Sequence, residues 1–198
     1  WHDLARQMRR AALALTAMGL QPGDRAAIFA PNSVQWFAAA LGIQAAGGAM
    51  VPIYASCTAH EAGYVLGHSD AAILFVDTAP LLERALLAST WAGLRTVVLL
   101  RDLDVAAIAA AARAKGLSVA GDAAIAAKVA TWDAIQAQGA ALDHDGAFER
   151  SLDRVALSDT AVSMADKIGA YVTFGRTIYS QALDPANPIN TLYLGMDQ

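Results

Sequence analysis

The chain has 198 residues, of which 56% are hydrophobic and 16% charged, and its formal net charge is −4. That composition supports a packed core and excludes long disorder, and with no basic patch it speaks against nucleic-acid binding. One cysteine, Cys57, excludes an intrachain disulfide and a Cys-rich metal site.

Trp1–Met18 reads as an amphipathic helix. Leu4, Met8, Ala11, Leu15 and Met18 recur at three- and four-residue spacing, while Arg6, Arg9 and Arg10 fall mostly elsewhere, as on a solvated face. The chain opens Trp1-His2-Asp3, with no basic and apolar leader. It has no initiator Met, so the expectation is that it begins inside a longer protein. Gly19 ends the helix, and Gln21-Pro22-Gly23-Asp24 is a turn.

The stretch Gly23–Tyr54 organises the rest of the chain. Two short apolar runs, Ala26–Ala30 and Ala49–Tyr54, flank a helical segment opened by Asn32 or Ser33 and closed by Gly47 and Gly48. Strand, helix and strand in this span predict a βαβ unit with both strands buried in a parallel sheet. Val34–Ile53 carries no charge. Pro31, Gly47, Gly48 and Pro52 break it, and its helical part falls short of the roughly 20 residues that span a bilayer. A transmembrane span is therefore not expected.

Thr58 and Glu61 form a capping box for a helix running to about His68. Ala71–Asp77 is a strand, Thr78 and Pro80 start a further helix, and Leu94–Leu100 is the fourth strand. The strands begin near residues 25, 49, 71 and 95, the even spacing of repeated βα units. Asp104–Lys115 is an alanine-rich helix, Leu117–Ala130 is ambiguous, and Thr131-Trp132-Asp133 starts a helix through Gln138. The fold class expected is α/β, a parallel sheet with helices on both faces, followed by an irregular C-terminal tail.

Several residues here resemble a known family. GDRAAIFAPNSVQW, the uncharged helix after it, AAGG and VPIYAS are similar to the N-terminal region of AMP-forming acyl-CoA synthetases, and within that adenylating superfamily to the long-chain fatty-acid–CoA ligases. Thr131, Trp132, Asp133 and Gly139 match a later element of the same family. The resemblance covers residues 1–160, taken as a partial N-terminal domain, and leaves 161–198 as a divergent tail. It implies ATP, Mg²⁺ and CoA as cofactors of the parent enzyme and a fatty acid as its substrate. It also implies a cytoplasmic or membrane-peripheral location, and as partners a second copy or the missing remainder of the enzyme. The Gly-, Ser- and Thr-rich phosphate loop with its Lys should come after Asp159-Thr160-Ala161. Gly169 and Gly175 do not build it. The expectation is a frameshift, truncation or fusion near Met164.

No residue is assigned a catalytic, cofactor-binding or metal-binding role. Gly42, Gly47 and Gly48 lie far from any Lys and read as helix terminators. His60 and His68 stand two turns apart on one helix, too far to share an ion, and His2 has no partner motif. Asp143-His144-Asp145 reads as a solvated turn. Cys57 beside His60 reads as a structural thiol in a loop, and Trp36, Trp91 and Trp132 as packing residues. The reading is an enzyme fragment that supplies scaffold and is inactive alone, with no cofactor of its own. The alternatives are a non-catalytic interaction or regulatory module and a flavodoxin-like small-ligand binder.

Overall fold

The computed structural model of the chain describes residues 1–155 and two short strands further on. The elements run α1 (His2–Ala17), β1 (Arg25–Phe29), α2 (Val34–Ala45), β2 (Ala49–Ile53), α3 (Ala59–Ser69), β3 (Ile73–Val76), α4 (Ala79–Ala85), α5 (Ala88–Gly93), β4 (Thr96–Leu99), α6 (Val105–Ala114), α7 (Asp122–Ala126), β5 (Val129–Thr131), α8 (Trp132–Leu142) and α9 (Ala147–Leu152). An antiparallel pair, β6 (Ser163–Ala165) and β7 (Tyr171–Thr173), comes next. The rest of the tail, with the domain boundary at 160, lies outside the described residues, and nothing in β6, which contains Met164, tests the expected break there.

Five strands form one parallel sheet in the order β2-β1-β3-β4-β5. Apolar residues alternate in neither β1 nor β3, because both faces of the sheet are covered. Ala26 and Ile28 point into one core with Ile73, Phe75, Val98 and Leu100. Ala27 and Phe29 point into the other with Leu74, Val76, Val97 and Leu99. Helices α1, α2, α8 and α9 cover the first face, and α3 to α7 the second. The sheet with helices on both faces is thus the architecture that the strand spacing predicts.

On the first face α1 lies between α2 and α8, and small residues let it sit close to both. A Cβ on Gly42 of α2 would stand 2.7 Å from the Cβ of Ala11, and one on Gly139 of α8 only 2.0 Å from the carbonyl oxygen of Arg10. Gln136 donates across the second contact to the carbonyl of Gln7 at 3.0 Å. The Gly139 of the family-like element is therefore a packing requirement.

Arg9 departs from the solvated face expected of it. Its Nε donates to Asp143 at 2.6 Å and its Nη1 to Glu149 at 2.6 Å, while the guanidinium lies 4.7 Å from the ring centre of Phe148. Charges from three elements meet there because α8 and α9 fold back onto α1. The two hydrogen bonds raise the Arg9 pKa above its ordinary value, and the Arg9 hydrogen bond lowers that of Glu149.

β2 is an edge strand of the sheet. The Ala49 amide donates inward to Asp24 at 2.8 Å. Alternation then turns the backbone of Met50 and Pro52 outward, and proline offers no N–H there. β6 lies alongside β2 and α3.

Candidate functional site at the carboxyl edge of the sheet

In an open parallel sheet, ligands bind outside the carboxyl ends of the strands, where the strand order reverses. Here the reversal falls between β1, whose crossover runs to β2, and β3 on its other side. The loops at that edge are Ala30–Ser33 after β1, Tyr54–Thr58 after β2, Asp77-Thr78 after β3 and Leu100–Asp104 after β4, while β5 passes directly into α8 at Thr131.

Each of these loops feeds a helix, and most of the helices are capped by their own sequence. Ser33, the choice the structure makes between Asn32 and Ser33, accepts from the Trp36 amide at 3.1 Å. Thr58 accepts from Glu61, whose carboxylate takes the Thr58 amide in return at 2.9 Å, so the expected capping box is present. Asp104 accepts from Ala107 at 2.9 Å, and Thr131 from Ala134 at 3.2 Å. Thr78 starts α4 without a side-chain cap, and Pro80 sits in its first turn. One first-turn amide is thus already bonded to a cap side chain at four of the five helix starts.

At the reversal itself stands Asp77. Its side chain is 0% exposed, and Arg101 Nε approaches one carboxylate oxygen at 2.5 Å while the arginine stays 62% exposed. The approach is that of a contact ion pair, and among the described residues neither oxygen accepts a well-aligned hydrogen bond. The carboxylate is enclosed and the guanidinium faces solvent, so the charge of Asp77 is offset by its partner. Nothing in the residue pattern Asp77 to Arg101 announces this pair, because the two sit on neighbouring strand ends that only folding brings together.

Two cavities among the described residues lie elsewhere. One of about 240 Å³, lined by Gly63, Gly67, Asp70, Ser89 and Thr90, opens between α3 and α5. Asp70 and Leu94 on its wall precede β3 and β4, so it sits at the amino end of the sheet. A second, of about 370 Å³, lies between α6 and α7 and is mostly apolar. The residues weighed from sequence do not converge on either. His68 stacks on Tyr64 with ring centres 5.3 Å apart. His144 meets Asp145 at 3.3 Å on the surface. Cys57 is half-buried, and its carbonyl accepts from Arg84 at 2.7 Å. Trp91 donates to the carbonyl of Ala124 at 3.0 Å, and Trp132 packs edge-on to Phe75. Among the described residues no three His, Cys, Asp or Glu side chains gather closely enough to hold a metal ion. No helix among them is long and apolar enough to cross a membrane.

Known proteins resemble parts of this chain. It is 40% identical over 76 residues to a long-chain-fatty-acid–CoA ligase of Mycobacterium bovis, a match covering 38% of this chain and 13% of the ligase. It is 39% identical over 79 residues to a mouse (Mus musculus) long-chain-fatty-acid–CoA ligase, covering 40% of this chain and 12% of that one. Among solved structures, the A domain of a carboxylic acid reductase from Segniliparus rugosus, in complex with AMP and a carboxylic acid, superposes with a TM-score of 0.64 at 17% identity. That superposition covers 90% of this chain and 29% of the other, and it speaks for the fold alone. The matches thus span a small part of the relatives' length. A family description, AMP-binding enzyme, matches residues 1–159, and the chain belongs to that family.

Proposed function

We propose that this chain is the N-terminal scaffold portion of an ATP-dependent, AMP-forming fatty-acyl-CoA ligase, and that purified alone it forms no acyl adenylate. In such an enzyme ATP and a carboxylate give acyl adenylate and pyrophosphate, and the CoA thiol then displaces AMP. The observation that carries the reading is the carboxyl edge of the sheet. Its helix starts are occupied by Ser33, Thr58, Asp104 and Thr131, and its reversal point by the Asp77–Arg101 pair. Such an edge positions a neighbouring site better than it binds a triphosphate itself.

Adenylation builds negative charge on the α-phosphate and the departing pyrophosphate, which oriented amides, a cation and Mg²⁺ stabilise. Losing one such donor costs about 100- to 1000-fold in rate. The sequence after Ala161 has no Ser/Thr cluster and no Lys following a glycine-rich run. Scaffold thus remains the contribution of residues 1–160, and 161–198 adds no phosphate loop. ATP, Mg²⁺ and CoA belong to the parent enzyme, with a cytoplasmic or membrane-peripheral location and with the remainder of the enzyme, or a second copy, as partner.

The test is pyrophosphate exchange with palmitate, ATP and Mg²⁺. The expected result is exchange at the level of a heat-killed control. Exchange above that control, sensitive to fatty acid, refutes the proposal. The strand order 2-1-3-4-5 favours one other reading, a flavodoxin-like small-ligand binder. Fold analogy alone does not carry function, and equilibrium dialysis against ATP, FMN and acyl-CoA separates the two.

A further inference from the structure

The cavity between α3 and α5 has an apolar floor and a polar rim. Leu66, Ala71 and Leu94 in its lining are buried. Asp70 and Ser89 are exposed, and Thr90 is half-buried. Glycines keep its space of about 240 Å³ open. A Cβ on Gly63 would stand 2.9 Å from the Thr90 hydroxyl, while one on Gly67 or Gly93 would meet nothing within 4 Å.

Asp70 sits where a carboxylate is costly. It ends α3 in the left-handed conformation, φ 52° and ψ 28°, which glycine adopts without strain. It also stands at the carboxyl end of that helix, where the helix dipole already gathers negative charge and favours a cation. Among the described residues its carboxylate forms no ion pair. His68, the basic residue of the last turn, is stacked on Tyr64. The Ser89 and Thr90 hydroxyls across the cavity can accept as well as donate. The polar side of the cavity is therefore built to receive a donor that carries positive charge.

We infer that this cavity binds a small aliphatic ammonium ion, its charged head at Asp70, Ser89 and Thr90 and its alkyl chain on Leu66, Ala71 and Leu94. The lining selects that class. Among the described residues Asp70 is the one charged group in it, so an anion is repelled. A metal ion takes several oxygen, nitrogen or sulfur ligands, and no such cluster forms among the described residues. A neutral hydrocarbon would fill the floor and leave the carboxylate unanswered. The space is smaller than the roughly 300–1,000 Å³ of drug-sized sites, which limits the chain to a few carbons. The inference is independent of the scaffold reading, because the cavity lies at the amino end of the sheet, away from the carboxyl edge.

The experiment titrates the 198-residue chain with n-butylammonium chloride and, at matched ionic strength, with 1-butanol and sodium butyrate. Amide chemical shifts of Gly63, Gly67, Ser89, Thr90 and Gly93 are followed by NMR. The expected result is saturating shifts at these residues with butylammonium, at a Kd of roughly 1–10 mM, and none with butyrate. Asp70→Asn removes the charge and keeps a residue that tolerates the left-handed conformation; it should weaken butylammonium binding at least about tenfold. Gly67→Leu places a side chain in the open space and should abolish binding. Both variants are checked by far-UV circular dichroism, and if Gly67→Leu loses its fold, Asp70→Asn alone decides. Butanol bound as tightly as butylammonium overturns the inference, since the cavity is then only an apolar hole. Undiminished binding to Asp70→Asn overturns it as well, and so do shifts that stay linear with no saturation.

Discussion

Replacing Gly139 by Ala tests the closest approach in the fold. The new methyl would lie 2.0 Å from the Arg10 carbonyl oxygen, 2.5 Å from its carbon and 2.6 Å from the Arg10 Cα, all backbone atoms that cannot swing aside. Ordinary contact begins at 3.4 Å, so α1 and α8 must part by roughly 1.4 Å. That displacement stretches the Gln136–Gln7 bond past hydrogen-bonding range from its 3.0 Å. Overpacking of this kind costs about 1–3 kcal/mol and the lost bond about 1 kcal/mol, while alanine returns about 1 kcal/mol of helix propensity. The net expectation is a loss of ~1–3 kcal/mol, a large share of the roughly 5–15 kcal/mol that holds a domain folded. The assay is urea unfolding monitored by far-UV circular dichroism, with Gly67→Ala as the companion. Gly67 lies within α3 with open space where its Cβ would go, so alanine there should add about 0.5–1 kcal/mol. If both substitutions stabilise alike, α1 and α8 are not in the close contact described and the reasoning fails.

The polar contacts give three further expected outcomes. Arg101→Ala strands the buried Asp77 carboxylate and should cost about 3–5 kcal/mol, whereas Asp77→Ala leaves an exposed arginine that water solvates and should cost much less; equal costs in denaturant titrations would contradict the assigned pair. Thr58→Ala removes one half of the capping box and should cost about 1 kcal/mol in the same titration, and no measurable change would show that α3 does not depend on its cap. The depressed Glu149 pKa means that the folded state holds its proton less tightly than the unfolded chain, so the Arg9–Glu149 contribution is present above pH 4.5 and is lost as pH falls below it. Glu149→Gln should flatten the acid limb of a stability-against-pH curve and leave the neutral region nearly parallel to wild type. An unchanged acid limb would remove Glu149 from the linkage.

The parallel sheet was legible because strand burial and helix caps are local signals. Ser33, Thr58, Asp104 and Thr131 lie within three residues of the amides they bond, and sequence spacing reads contacts of that range. The fifth strand was not legible. β5 is three residues long, Val129–Thr131, and half-exposed at the far edge, so the ambiguous Leu117–Ala130 stretch hid both it and α7. The short helices α5 and α9 escaped for a related reason: neither carries a side-chain cap, and each has only six residues. The Arg9 cluster and the Asp77–Arg101 pair depend on separations that no local pattern encodes. The four capped helix starts could be read from sequence, but that all four lie at the carboxyl edge of one sheet required the strand order.

The clasp between α1 and the pair α8 and α9 has a consequence for how the chain is made. Arg9 bonds Asp143 and Glu149 across separations of 134 and 140 positions, and Arg10 is wedged by Gly139. During synthesis, at about 5–20 residues per second, α1 leaves the ribosome early and waits for α8 and α9 to arrive. Its apolar flank, Leu4, Met8, Leu15 and the alanines beside them, has only α2 for cover during that interval. Non-local closure of this sort is intrinsically slow to nucleate. The segment from Trp132 to Leu152 therefore acts as the latch of the nascent domain, and a ribosome paused before it would hold a chain whose sheet is largely written but whose outer layer is still open.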